Sequence, residues 1–303
     1  MRFELTILGC GAATPTLKRN PTSQLVNVHD KYYLIDCGEG TQVQLRKHKF
    51  RFQRISHIFI SHLHGDHYLG LLGLLSSMHL LGRATPLHIY GPADLKEIIH
   101  VNLKFSQTYL CFEWIFHPLN MLEGELIMET DKLWVRSFPM NHRIDCCGYV
   151  FEEKPKRRRI LKEAIESRNL NIAEIVQLKD GKNVARESGE VLDIEECTLP
   201  PYPSRKYVYC SDTAPFDGQI DIAKNADLLY HESTFANQHE QRAKETFHST
   251  AAQAATVASE AHVKHLLLGH FSSRYTDLSV LEEEAKEIFP NTQLAHDGLS
   301  IEI

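Results

Sequence analysis

The stretch that most constrains the chain is Ser61-His62-Leu63-His64-Gly65-Asp66-His67, which follows the apolar run His57–Ser61. Four metal-capable side chains fall between residues 62 and 67. A short strand ending in such a loop must present imidazoles and a carboxylate at one sheet edge, where a rigid support positions functional groups. His62 and His64 are two residues apart and can project the same way. Asp66 and His67 can turn toward a second point, and Gly65 is expected to allow the bend between the two pairs. Two imidazoles beside a separate Asp/His pair suit two neighbouring borderline cations such as zinc.

Around this run the chain alternates between strand and helix patterns. Phe3–Leu8 reads as a buried strand, and Gln24–Val28 with Tyr32–Asp36 reads as a hairpin around His29-Asp30. Helices are expected over Thr41–Lys49, His67–Leu81 and Ala93–Leu103, with strands at Leu87–Tyr90, Gly124–Thr130 and Leu133–Pro139. The same texture returns at Tyr207–Ser211, Leu228–His231, Thr250–Ala261, Val263–Gly269 and Leu278–Ile288. Strands meeting strands early and helices interleaved later predict an α/β fold. It is an αββα sandwich of two facing sheets with helices outside, a single domain over residues 1–303. Residues 151–203 break the rhythm. They open on Lys154-Pro155-Lys156-Arg157-Arg158-Arg159, close on Pro200-Pro201-Tyr202-Pro203, and carry short amphipathic helices at Ile160–Glu166 and Ile172–Leu178. Proline at both ends predicts a flexible inserted arm rather than a core layer.

Composition removes several classes. No run of 18 apolar residues exists to cross a membrane. Met1-Arg2 runs straight into FELTIL, so no secretory leader is expected. Seven cysteines include no CxxC pair, which argues against a disulfide framework and for a reducing cytoplasm. A net charge of −6 does not suit a non-specific nucleic-acid coat, although a local basic patch can still hold phosphates. Histidine is abundant, at 18. His29, His48, His57, His79, His88, His100, His117, His239, His262, His265 and His296 read as surface or core residues rather than ligands. His231, next to Glu232, fits either reading.

HLHGDH resembles the HxHxDH signature of the metallo-β-lactamase superfamily, which implies the αββα sandwich with one or two metals at its edge. The resemblance extends to His142 in PMNHR, Asp212 in YCSDT and His270 in LGHF, each just after an expected strand. It implies one zinc ion on His62, His64 and His142, a second on Asp66, His67 and His270, and Asp212 between them. Within that superfamily the chain resembles ribonuclease Z. The segments carrying this are Asp36-Cys37-Gly38-Glu39-Gly40-Thr41-Gln42, His231-Glu232-Ser233-Thr234-Phe235, His248-Ser249-Thr250, and Gly269-His270-Phe271-Ser272-Ser273-Arg274-Tyr275. The resemblance implies a zinc-dependent endoribonuclease that removes the 3′ trailer from tRNA precursors and works as a homodimer. Asp66 would serve as ligand and base for an attacking water, and His248 as general acid. Glu232 would raise the His248 pKa, and the helix start at Ser249-Thr250 would lower it.

Two departures stand out. The family pattern PxKxRN, a loop associated with the tRNA 3′ end, reads Pro15-Thr16-Leu17-Lys18-Arg19-Asn20 here, so Leu17 occupies the lysine position. The arm lacks the family's Gly-Pro motif. Arg19, Asn20, Arg274 and the arm cations Lys154, Lys156, Arg157, Arg158 and Arg159 are the candidate RNA contacts. A phosphodiesterase for small molecules on the same metal core is the competing enzyme reading. A nucleic-acid-binding protein with a degenerate site is the competing non-enzyme reading.

Overall fold

The structure is a computed structural model, and it describes residues 2–303; Met1, the first residue of the stretch in which no leader is expected, lies outside them. Two compact units are present, one of residues 2–128, 135–151 and 206–303, the other of residues 129–134 and 152–205.

The larger unit is built on two seven-stranded sheets. In the first run β1 (Phe3–Gly9), β2 (Ser23–Val28), β3 (Lys31–Ile35), β4 (Ile55–Phe59), β5 (Leu87–Gly91) and β6 (Trp114–Pro118) in spatial sequence. The second contains β7 (Glu125–Glu129), β8 (Leu133–Pro139), β9 (Cys147–Glu153), β10 (Lys206–Cys210), β11 (Leu228–Glu232), β12 (His265–Gly269) and β13 (Thr292–Leu294). Its order is β13-β12-β11-β10-β9-β8-β7. A last strand, β14 (Ser300–Glu302), returns to the first sheet and pairs antiparallel with β1.

β1, β2 and β3 form an antiparallel meander, and β3 to β6 run parallel. β10 to β13 are likewise parallel. Parallel strands need helical crossovers. On the first sheet these are α1 (Thr41–Lys47), α2 (Gly65–Leu80) and α3 (Leu95–Phe105). α2 buries Leu71, Leu74, Leu75 and Met78, spaced at helical periodicity, against Leu34, Ile58 and Ile89 of the sheet. Between the sheets the filling is aromatic: Tyr33, Phe59, Tyr149, Phe151, Tyr207, Tyr209 and Tyr230 are all buried.

β9 was not foreseen, because its residues are buried almost throughout and show no alternation to read. Its span also takes residues 151–153 out of the expected arm.

The smaller unit holds the rest of that arm, with α4 (Lys162–Ser167), α5 (Ile172–Lys179) and α6 (Ile194–Cys197). Ala164, Leu170, Leu178, Val184, Leu192 and Cys197 form its own apolar core, packed by Ile160, Ile165 and Ile175. α5 starts on a reciprocal capping box between Asn171 and Glu174. The segment that reads as charged therefore carries enough apolar area to organise itself.

Along the larger unit's remaining helices are α7 (Gln219–Ala223), α8 (Glu240–Thr246), α9 (Ala251–Glu260) and α10 (Ser279–Lys286). The buried alanines Ala251, Ala254, Ala255 and Ala258 let α9 approach its neighbours closely. No helix is long and apolar enough to cross a membrane among the described residues.

Candidate metal centre

All seven expected ligands lie beyond the carboxyl ends of strands from both sheets or in the first turn of α2, the edge where open α/β sheets hold ligands. His62 and His64 follow β4, and Asp66 and His67 lie in the first turn of α2. His142 follows β8, Asp212 follows β10 and His270 follows β12. The bend expected at Gly65 is absent. Gly65 opens α2 without a positive φ, and the separation of the two pairs comes from the change from strand end to helix. A side chain there would press on the end of Leu69, 2.8 Å from the Cβ position.

The structure brings the seven together in two clusters. In one, His62 Nε2 and His142 Nε2 lie 3.0 and 3.1 Å from His64 Nδ1. In the other, Nε2 of both His67 and His270 lies 3.4 Å from Asp66 Oδ2. Asp212 turns one oxygen to each: Oδ2 is 3.6 Å from His62 Nε2, and Oδ1 is 3.2 and 3.0 Å from His67 and His270 Nε2.

This geometry fits divalent cations. Three ring nitrogens face one another at separations near the roughly 3.3 Å that two nitrogens take on tetrahedral zinc. The His67 Nε2 atom is buried without a hydrogen bond, although Asp212 Oδ1 lies 3.2 Å away. A buried ring nitrogen of that kind is costly unless a cation meets its lone pair. Titration follows the same charges. Burial lowers the His67 and His270 pKa values, but the Asp212 carboxylate outweighs it, so both are raised, His270 to about 10. Burial would raise the Asp212 pKa, and His270 and His67 instead hold it well below the usual range.

A second set of residues fixes the ligands. Asp36 is fully buried and accepts four hydrogen bonds: from Ser61 N (2.8 Å), Ser61 Oγ (2.9 Å), Tyr209 OH (2.6 Å) and His67 Nδ1–H (2.7 Å). That last bond leaves His67 Nε2 as the ligating atom. Ser61 Oγ also lies 3.0 Å from His62 Nδ1, so one carboxylate steadies ligands of both clusters. The Phe247 carbonyl accepts from His142 Nδ1–H (3.1 Å), and Thr234 Oγ1 accepts from His270 Nδ1–H (3.0 Å). The Ala13 N–H donates to Asp66 Oδ2 (2.8 Å). Asp36, Asp212 and His270 all have positive φ, so backbone strain is concentrated at this centre. Sequence reasoning placed Asp36 and Thr234 only inside family segments. Ser61 and Tyr209 also lay inside quoted segments without an assigned role, and Ala13 carried no signal at all.

His248 lies beside both clusters, its ring 5.2 Å from His142 and 5.5 Å from His270. Its Nδ1–H donates to Glu232 Oε1 (2.8 Å). Glu232 is fully buried and also accepts from Thr213 N–H (2.6 Å) and Thr234 Oγ1–H (2.5 Å). Burial lowers the His248 pKa, the Glu232 charge opposes it, and the net result is raised. The Nε2 edge has no partner among the described residues. His231, ambiguous in sequence, is fully buried against Gln219 and takes no part.

A cleft of about 490 Å³ opens over the centre, lined by His64, Asp66, His142, His248 and His270 together with Arg143 and Arg274. Arg274 is exposed, with its guanidinium 5.1 Å over the Phe235 ring. Arg19 and Asn20 spend their polar groups on protein: Arg19 donates to Tyr275 O (2.7 Å), and Asn20 donates twice to Asp297. The arm cations do not form one open patch. Lys154 pairs with Glu129, Lys156 with Glu153 (2.6 Å), Arg157 with Asp180 (2.9 Å) and Arg158 with Glu195 (2.8 Å). Arg159 donates to Pro200 O and stacks on Tyr202.

Known proteins share this arrangement of chain. Residues 3–155 match the family described as Anti-Pycsar protein Apyc1, just over half of the chain. A protein of Bacteroides thetaiotaomicron named Ribonuclease Z is 46% identical over 302 residues, covering 100% of this chain and 96% of its own. The chain belongs to the ribonuclease Z family. A Bacteroides fragilis protein of the same name is 45% identical, covering 100% of this chain and 99% of its own. Among solved structures, human tRNase Z, short form, superposes with a TM-score of 0.71 at 29% identity, over 98% of both chains. The ribonuclease Z relatives span Asp212, Glu232, His248 and His270, which the Apyc1 match does not reach. A Bacillus subtilis protein titled a metallo-β-lactamase fold protein superposes with a TM-score of 0.70 at 20% identity over all of both chains, and with the two flanked sheets this shows the metallo-β-lactamase fold expected from sequence.

Proposed function

We propose that the protein is a zinc-dependent endoribonuclease that cleaves the 3′ trailer from precursor tRNA and leaves a 3′-hydroxyl on the tRNA. The observation that carries this is His248, facing the metal cluster and backed by the buried Glu232, in a chain that matches ribonuclease Z relatives from end to end.

Two zinc ions would be held by His62, His64 and His142 on one side and Asp66, His67 and His270 on the other, with Asp212 shared. Bound there, they supply a water of lowered pKa and neutralise charge on the phosphate oxygens. Asp66, its carboxylate oriented by the Ala13 N–H, would take a proton from the attacking water. His248 donates a proton from Nε2 to the departing ribose 3′ oxygen, while Glu232 holds Nδ1–H and favours the imidazolium. Thr234 bridges the two functions, since its hydroxyl donates to Glu232 and accepts from the ligand His270.

The RNA contacts proposed are Arg274 in the cleft and the arm, chiefly the exposed Arg157. Phosphate would have to compete with the arm's internal ion pairs. The residues 152–205 unit is read as the tRNA-gripping insertion of one domain. A homodimer is proposed through α1 and α2, where the exposed Val43, Leu80 and Leu81 line one hollow and Leu80 continues to Tyr109. Seven free cysteines fit work in a reducing cytoplasm.

The test is purified protein with a 3′-extended tRNA, a small phosphodiester and a thioester. Turnover of the small phosphodiester alone refutes the RNA reading. His248→Ala should keep its metal content and lose RNA cleavage about 10²–10⁴-fold. Retained cleavage removes His248 from the reaction.

A further inference from the structure

We propose that Arg143 holds the phosphate next to the reacting one, with Arg274 holding the phosphate on the other side of it. This rests on the RNA reading above. Arg143 sits directly after the ligand His142, is exposed, and lines the cleft. It has no ion pair or side-chain hydrogen bond among the described residues. Many guanidinium groups elsewhere are paired, as in Arg158–Glu195, Arg186–Glu174 and Arg205–Glu153. In a chain of net charge −6, an unpaired arginine at the mouth of the candidate active site is best explained by an anion from outside.

Both arginines are presented from anchored loops. Asn141, just before His142, receives a hydrogen bond from Ala214 N–H (2.9 Å) and donates its own N–H to Thr213 Oγ1 (3.1 Å). The Arg274 loop is tied by Arg19 to Tyr275 O and by Ala236 N–H to Tyr275 OH. The loops leave β8 and β12, which stand four places apart in the second sheet. At about 4.8 Å per strand the loop origins are roughly 19 Å apart. Asp212 follows β10, between them. The two arginines therefore reach one cleft from loops on either side of the Asp212 loop, Arg143 next to the cluster that holds His142 and Arg274 near the cluster that holds His270. A polynucleotide offers a phosphate on each side, and the planar guanidinium fork matches two phosphate oxygens at once.

The experiment is single-turnover cleavage of a 3′-extended tRNA carrying one uncharged methylphosphonate linkage, placed in turn on either side of the cut. Wild type is compared with Arg143→Ala, Arg143→Lys and Arg274→Ala, each checked for metal content. Each alanine variant should lose about ten- to a hundredfold in kcat/KM on the all-phosphate RNA, the range for a charge-assisted contact. Each should then be indifferent to the methylphosphonate at its own linkage and keep the wild-type penalty at the other. Arg143→Lys should recover part of the loss. Penalties that add at both linkages in Arg143→Ala, or both arginines reading one linkage, overturn the proposal while the RNA reading stands. Wild type that leaves the precursor uncut overturns both.

Discussion

A stack of rings outside the candidate ligand clusters gives a sharp test of how this interior handles charge. His57 lies between the sheets, its ring 4.8 Å from His88 and stacked toward Phe59 and Tyr90. His88 Nδ1 is 3.0 Å from His117 Nε2. Burial, aided by repulsion from His88 and His117, pushes the His57 pKa down to about 3. In the unfolded chain the value returns to about 6.5. Folded His57 thus stays neutral while unfolded His57 takes up a proton, so stability is complete above pH 6.5 and is lost as pH falls toward 3. Linkage gives a loss of about 2 kcal/mol between pH 7.5 and pH 5 from this one ring. His57→Phe keeps a flat ring in the stack and removes the proton. Urea unfolding of both proteins at several pH values from 7.5 to 5 should show the variant losing about 2 kcal/mol less. Titration of the metal ligands is common to both and cancels. Parallel stability curves would refute the reasoning, since they would mean that water reaches His57 in the folded protein.

Other perturbations test the centre itself. Glu232→Gln removes the charge beside His248, so the alkaline limb of single-turnover cleavage should move down by about one to two pH units; an unmoved limb separates Glu232 from the acid. Asp36→Asn should weaken metal retention, read by metal analysis after dialysis against a mild chelator, because its carboxylate orients His67 directly and His62 through Ser61. A methyl group at Gly269 would meet the Tyr230 ring within 2.4 Å, so Gly269→Ala should cost about 1–3 kcal/mol in thermal or urea unfolding. Leu80→Asp should convert a dimer to monomer in light scattering, with the monomer retaining its metals.

Legibility in sequence depended on how local each constraint was. HLHGDH declared itself because four ligands sit within one turn of chain. His142, Asp212 and His270 were unremarkable singly, and only their shared position after strands, read with the family resemblance, assembled them. Asp36 could not be read as a four-donor acceptor, since its partners Ser61, His67 and Tyr209 are remote in sequence. The arm misled in a similar way. Its six-residue opening shows five cations, while the partners that pair with several of them, Glu129, Asp180 and Glu195, lie far along the chain. Strand β9 escaped because a strand buried on both faces has no alternating pattern.

The ligands are drawn from both sheets, and this has a consequence for synthesis. A chain stopped before residue 212 would carry His62, His64 and His142 but no shared carboxylate, and one stopped before residue 270 would leave the second cluster short. A nascent chain would therefore lack the full set of candidate ligands until residue 270 has been made and has joined the site. A filled second cluster would mark a chain that has been made at least as far as His270.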